Sequence, residues 1–182
     1  MSKAPRIAWW LATGFGSGYL KPAPGTWGTL SGLLAWLLWV IALRRVGGSL
    51  AVGALLAGPV VLTLVAVWAA HRVVQETGQK DPSFIVVDEW AGVWFALLPL
   101  LFTATAQPQP LSLWAARLVA PFMLFRLFDI WKPGVVDQAQ RLPGRWGVVI
   151  DDVLAGLLAA LIVWPLDRWL GAQSLLHLQL WR

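Results

Sequence analysis

The sequence predicts an all-α, polytopic membrane protein, and three observations carry that expectation. Hydrophobic residues make up 58% of the 182 and charged residues only 13%, about half the share usual in soluble domains. Long uncharged runs alternate with short polar segments, and Lys, Arg and Trp bound those runs, as they bound helices that cross a bilayer. High hydrophobicity with low charge also excludes disorder. The absence of Cys removes disulfides, thiolate metal sites and Cys-nucleophile phosphatases together. The 14 Lys and Arg outnumber the nine Asp and Glu, but they form no run longer than Arg44-Arg45. The surplus therefore does not describe a nucleic-acid surface.

The elements follow in order. Ile7 to Ala12 is too short an apolar stretch for a cleavable signal peptide. Thr26 to Leu43 is 18 uncharged residues; at ~1.5 Å per residue it spans about 27 Å, enough for a hydrocarbon core of about 30 Å. Arg44, Arg45 and the Gly47-Gly48 turn end it. Gly47 to Ala70 is the second run, closed by His71 and Arg72, with a mid-span Pro59 of the kind membrane helices tolerate. The third begins at Trp90 and runs to the helix-breaking segment Gln107 to Pro110. The fourth, Leu111 to Phe128, carries Arg117 and Arg126 and either crosses or lies at the interface. The fifth, Val153 to Leu166, reaches across when extended to Leu170. The sum is about five spans, or four if the fourth is interfacial, in a single domain over residues 1–182. Most Trp residues fall near span ends, as in interfacial belts.

Five crossings place residues 1–25, 71–89 and 129–152 on one side. Nine basic residues cluster there, counting Arg126 at the border, against four on the other side. The positive-inside rule makes the first side cytoplasmic.

The acidic residues are not spread evenly. Seven of nine lie in three segments on that side: Asp81, Asp88 and Glu89 in DPSFIVVDEWAG, Asp129 in FRLFDIWKP with Asp137 following, and Asp151 and Asp152 in VVIDDVLAG. Asp88 and Gly92 share a helix face, as do Asp152 and Gly156, and a glycine there lets a helix or ligand approach the backbone. Capping of a helix N-terminus explains one acidic pair. Three acidic segments on one face point instead to a divalent cation, which relieves their repulsion and desolvation. Oxygen-only donors favour Mg²⁺ or Mn²⁺ over Zn²⁺. Asp137 reads equally well as a solvated loop residue.

The stretch TGFGSGYLKPAPGTWGTL places Gly16, Ser17, Gly18, Lys21, Gly25 and Thr26 before the first span. Such a loop can aim backbone N–H groups at phosphate oxygens, with Lys adding charge. It also reads as a flexible lead-in with close helix contacts, and it is not a Walker A loop. Arg126 and Lys132, on either side of Asp129, are the cations best placed to receive an anionic phosphate.

Taken in order, GFGSGYLKPAPGTWGTL, DPSFIVVDEWAG, FRLFDIWKP and VVIDDVLAG resemble the phosphatidylglycerophosphatase A family. They hold about a quarter of the chain but span nearly its full length. The resemblance implies an all-helical, Mg²⁺-dependent enzyme of the bacterial inner membrane. Such an enzyme removes the terminal phosphate of phosphatidylglycerophosphate, an anionic phospholipid, on the cytoplasmic side. It implies that Asp81, Asp88, Glu89, Asp129, Lys132, Asp151 and Asp152 belong to the active site, and it marks the glycine-rich motif. On this reading Asp88, Glu89, Asp151 and Asp152 hold Mg²⁺, and Asp81 and Asp129 orient water or complete the metal shell. Gly16, Ser17, Gly18, Lys21, Gly25, Thr26, Arg126 and Lys132 receive the phosphate. Lys132-Pro133 is followed by Gly134-Val135-Val136 where the family commonly continues Trp-Pro. That departure lies near the headgroup, so it bears on substrate choice more than on reaction type. The motifs of CDP-alcohol phosphotransferases and of histidine-based lipid phosphatases are absent. A small transporter or channel with a carboxylate cation site is the alternative from another class; it would need acids deep within the spans. The oligomeric state is not legible in the sequence.

Overall fold

A computed structural model describes residues 3–79, 82–102 and 111–180, with side chains to residue 172. The described residues are all-helical. Helix α1 is Arg6–Ala12, α2 Pro24–Val46, α3 Gly48–Thr77, α4 Val87–Leu97, α5 Leu111–Trp131, α6 Val135–Ala139 and α7 Trp146–Leu180. Single 3₁₀ turns occupy Ser17–Tyr19 and Leu98–Leu101. Helices α2, α3, α5 and α7 are long and apolar enough to cross a membrane.

Local chemistry sets the ends. Pro24 opens α2 at a position where its missing N–H costs nothing. Gly47 closes it at φ +69°, and Gly48 follows at φ +71°; two left-handed residues in succession make the tight reversal into α3, a conformation glycine adopts without steric cost. Helix α3 runs seven residues past the expected end at Ala70. Its extra turns seat the N-terminal segment: Trp9 Nε1 and the Ala4 amide each donate to Glu76 Oε2 at 2.9 Å. Helix α7 begins at Trp146, not Val153, so Asp151 and Asp152 sit in its second turn.

The third expected span begins three residues early, at Val87, and remains α-helical for only 11 residues before Pro99 tightens the chain into the 3₁₀ turn. Residues 103–110, which would complete it, lie outside the described residues. Helix α4 is nonetheless the centre of the fold, packed against α2, α3, α5 and α7. Glycines permit this. Gly25, Gly28 and Gly32 line the face of α2 toward α4: a Cβ on Gly28 would stand 2.9 Å from Glu89 Oε2, and one on Gly32 3.0 Å from the Trp90 backbone. On the opposite side, a Cβ on Gly156 would fall on the carbonyl oxygen of Gly92. Small residues at such contacts let two backbones approach.

The core joins Leu33, Trp36, Val93, Trp94, Leu97, Phe125, Ala155, Ala159 and Val163. Trp36, Trp90 and Trp94 are buried in the protein rather than placed in an interfacial belt. Two of these indole N–H groups find internal partners, as a buried Trp usually does: Trp94 Nε1 donates to the Gly32 carbonyl at 2.9 Å and Trp90 Nε1 to Ser31 Oγ at 2.8 Å. Trp10, Trp131, Trp164 and Trp169 face outward with Leu38, Leu50, Leu64, Leu111 and Leu161, an apolar surface far larger than a soluble monomer shows.

Arg117 does not snorkel. It is buried, and its Nε lies 2.6 Å from Asp167 Oδ1 on α7, also buried, with the Trp114 ring 5.8 Å from the guanidinium. Breaking a buried pair leaves a lone charge and costs about 3–5 kcal/mol, whereas replacing both members by apolar groups is often neutral. Arg117→Leu is therefore expected to lower the midpoint of thermal unfolding in detergent sharply, and the double variant Arg117→Leu/Asp167→Leu to recover most of it. Equal losses in both would show that the pair does not act as a unit.

Candidate active site

Helix packing brings one end of α2, α4, α5 and α7 together around a cavity of about 300 Å³. Asp88 and Glu89 come from the first turn of α4, Arg126 and Asp129 from the last turns of α5, and Asp151 and Asp152 from α7. Lys132 follows α5, and Pro24 and Gly25 open α2. Three acidic segments that are far apart in the chain thus face one space.

The cavity is charged, and most of its acidic side chains are buried or nearly so. Asp88, Asp151 and Asp152 are buried; Glu89, Asp129 and Arg126 retain 14–16% of their side-chain exposure. Arg126 Nη1 donates to Asp129 Oδ2 at 2.7 Å and lies 3.8 Å from Glu89 Oε1. Its Nε is buried and makes no hydrogen bond. Lys132 Nζ donates to Asp151 Oδ2 at 2.6 Å, and Gln140 Nε2 donates to the same oxygen at 3.0 Å. Lys132 adopts φ +50°, a left-handed conformation that costs a residue bearing a side chain about 1 kcal/mol or more. Burial works against the Lys132 charge, but the Asp151 carboxylate, aided by Asp152 and Asp129, outweighs it and keeps the ammonium's pKa above its usual value.

The carboxylates outnumber these cations. Burial, with the Asp151 and Asp129 charges adding to it, pushes Asp88 up to about 7. Burial and the neighbouring Asp88 and Asp129 charges hold Glu89 well above the carboxylate range. Glu89 Oε2 is buried and has no hydrogen-bond partner. Among the described residues no three His, Cys, Asp or Glu side chains close around a single point; the carboxylates surround the cavity instead. An all-oxygen donor set with an unpartnered buried oxygen fits a hard divalent cation.

The structure separates the glycine-rich segment into two parts. Gly25 lines the cavity, where a Cβ would run into Glu89 and stand 3.1 Å from Arg126 Nη1. Gly16, Ser17 and Gly18 do not line it. Their backbone N–H groups are already spent, Gly16 and Gly18 on the Thr13 carbonyl and Ser17 on the Gly14 carbonyl. Ser17 Oγ bonds Ser31 Oγ at 2.8 Å, continuing the chain from Trp90. Gly18 packs beneath the Phe84 backbone. Lys21 and Thr26 are exposed and do not line the cavity. Asp137 is likewise exposed and stands apart. Asp81 lies outside the described residues. Gln140, Ser83 and Val148 join the site's surroundings, and no spacing rule singled them out.

A pH dependence follows. In the metal-free protein Asp88 holds its proton up to about 7 when folded, against 3.8 for an ordinary aspartate. The folded state therefore binds the extra proton between these values, and stability falls as pH rises through that window. Asp88→Asn is expected to flatten the decline between pH 4 and 7 in thermal unfolding with EDTA. An unchanged slope would show that Asp88 does not titrate in this way.

The relatives of the chain can now be set beside this geometry. The family profile of phosphatidylglycerophosphatase A matches residues 10–167. A Bacteroides thetaiotaomicron protein, provisionally named a phosphatidylinositol-3-phosphatase, is 37% identical over 159 residues, covering 87% of this chain and 92% of its own. The phosphatidylglycerophosphatase A of Haemophilus influenzae is 35% identical over 88% of both chains. That of Escherichia coli is 31% identical over 86% of this chain and 84% of its own. No solved structure gives a significant match. The family match runs from α1 into the second half of α7 and takes in every described side chain of the cavity: this chain belongs to the phosphatidylglycerophosphatase A family of phosphatases.

Proposed function

We propose that this chain is a Mg²⁺-dependent lipid phosphomonoesterase, one membrane-embedded domain that hydrolyses phosphatidylglycerophosphate to phosphatidylglycerol and phosphate. We place it in the bacterial inner membrane with its site facing the cytoplasm. The observation that carries the reading is the shared cavity of Asp88, Glu89, Asp129, Asp151 and Asp152, with Arg126 and Lys132 beside them. A site that must take a phosphate monoester needs cations for the anion and a reason to gather carboxylates. A divalent ion held among acids supplies the reason, and Arg126 and Lys132 supply the cations.

Asp88, Glu89, Asp151 and Asp152 would hold the ion. When bound, Mg²⁺ neutralises phosphate oxygens and lowers the pKa of a coordinated water. The protein's own groups do the positioning. Arg126 lines the cavity and is steadied by Asp129, to which its Nη1 donates. Lys132 stays charged against Asp151. Gly25, in the first turn of α2, lines the cavity, and a helix N-terminus is a natural seat for a phosphate oxygen. Asp129, and Asp81 seven residues before Asp88 in the sequence, are the candidates for orienting the attacking water. No DxDx pattern of aspartyl-phosphate phosphatases occurs, which favours direct attack by water. Phosphoryl transfer of this kind rests on position and charge. The relative named for phosphatidylinositol-3-phosphate concerns the same reaction class with another headgroup, so selectivity is the finer part of the proposal.

The purified protein is expected to release phosphate from phosphatidylglycerophosphate with Mg²⁺ and not with EDTA, and more slowly from phosphatidic acid and phosphatidylinositol-3-phosphate. Asp152→Asn should lower turnover by more than the ~10–100-fold that loss of a metal ligand's supporting partner costs. Full, Mg²⁺-dependent turnover in that variant would refute the assigned site. Cysteines placed at Gln79, before α4, and at Gln138, in α6, should both label from outside in inside-out vesicles, where the cytoplasmic face is exposed; labelling from opposite sides would overturn the topology.

A further inference from the structure

An apolar groove of about 430 Å³ runs along α7 and is lined by Leu154, Leu158, Leu161 and Trp164, with Val135 and Phe102 beside them. Its position is tied to the polar cavity by helix register. At about 100° per residue, Leu154 and Leu158 lie within about 60° of Asp151 around the α7 axis, one and two turns further on. Val135 stands three residues after Lys132, whose ammonium meets Asp151. The end of the groove at Leu154 and Leu158 therefore continues the stripe of α7 that carries Asp151, and Leu161 and Trp164, about 80° and 140° from it, turn away toward lipid.

Its depth is informative. Leu154 to Trp164 covers ten residues, about 15 Å of helix rise, which is half of a hydrocarbon core of about 30 Å, or one leaflet. The far end is closed by Phe102 and Trp164, whose ring centroids lie 5.6 Å apart. Leu161, Phe102 and Trp164 are well exposed along this stretch, so the groove opens sideways, toward lipid. A second apolar groove, lined by Leu34, Leu38 and Trp39, lacks this continuity. Its α2 wall begins at Ser31, six residues past the cavity residue Gly25, and so faces about 120° away around the axis.

We propose that the α7 groove seats one acyl chain of the lipid substrate while its phosphate sits between Arg126 and Lys132. The Phe102–Trp164 pair is then the floor that sets how long a chain fits. This rests on the lipid-phosphatase reading above. Binding energy from a remote part of a substrate positions the reacting group, so the groove contributes to long-chain substrates and not to soluble ones.

The test compares phosphate release from dioleoyl and dihexanoyl phosphatidylglycerophosphate in the same detergent, with Mg²⁺. Leu161→Trp, at an outward-facing position that tolerates bulk, is expected to raise KM for the dioleoyl lipid at least five-fold. It should leave kcat/KM for the dihexanoyl lipid within two-fold. Phe102→Ala, which opens the floor, should shift the chain-length optimum upward. Leu38→Trp, in the other groove, should change neither. Equal effects of Leu161→Trp on both lipids, or no effect on either with an unshifted chain-length optimum in Phe102→Ala, would overturn the groove assignment. Thermal unfolding of each variant separates these results from misfolding. If the unmodified protein releases phosphate from neither lipid, the lipid-phosphatase reading itself fails; if it cleaves both and the variants show no chain-length effect, only the groove assignment does.

Discussion

The crossing of α4 and α7 at Gly92 and Gly156 fixes the rest of the structure. The two backbones meet there: a side chain on Gly156 would displace the Gly92 carbonyl, and one on Gly92 would meet the Phe125 ring and the Asp152 carbonyl oxygen at 2.6 Å. Each glycine lies four residues after an acidic residue, one turn along the same face. Pressing the glycines together therefore presses Asp88 and Asp152 together as well. Close packing that helps the apolar part of the molecule creates the electrostatic problem at its polar end.

The rest of the site answers that problem. Buried carboxylates near one another resist ionisation, and the elevated pKa values of Asp88 and Glu89 express it. Arg126 and Lys132 compensate part of the charge by reaching in from the end of α5. Lys132 takes a left-handed backbone to do so, a local cost accepted where the geometry serves a site. The compensation is incomplete, and the unpartnered Glu89 oxygen marks where it stops. Two acids outside this region have structural work: Glu76 fastens the N-terminal segment, and Asp167 neutralises Arg117 inside the bundle. The transporter reading needed acids free within the spans, and Asp167 is already paired.

Much of this was legible in the sequence. Charge scarcity identified the long helices, because a polar residue in hydrocarbon is costly enough to leave a visible gap in the pattern. The acids stood out for the same reason: each had to be kept for a purpose. The family resemblance named the same ordered segments. Legibility was weaker where local signals have two meanings. Glycines in TGFGSGYLKPAPGTWGTL read as a phosphate cradle, yet Gly16 and Gly18 use their N–H groups within their own turn, and only Gly25 reaches the cavity. Trp36 and Trp90 read as interfacial residues by their place near span ends, yet both are buried in the protein, and Trp90 has an internal acceptor. Gln140 gave no signal, since a loop amide has no characteristic spacing.

By itself the sequence determined the membrane-type all-helical class, the acidic segments and the family, because each depends on composition or on residues close together in the chain. Only the tertiary structure decided which acids share a cavity, that Lys132 and Arg126 rather than Lys21 enter it, and that Arg117 is paired rather than snorkelling. Those outcomes depend on which helix faces touch. The faces are selected by glycine contacts between segments some sixty or more residues apart, as Gly92 and Gly156 are, and no local pattern encodes that choice.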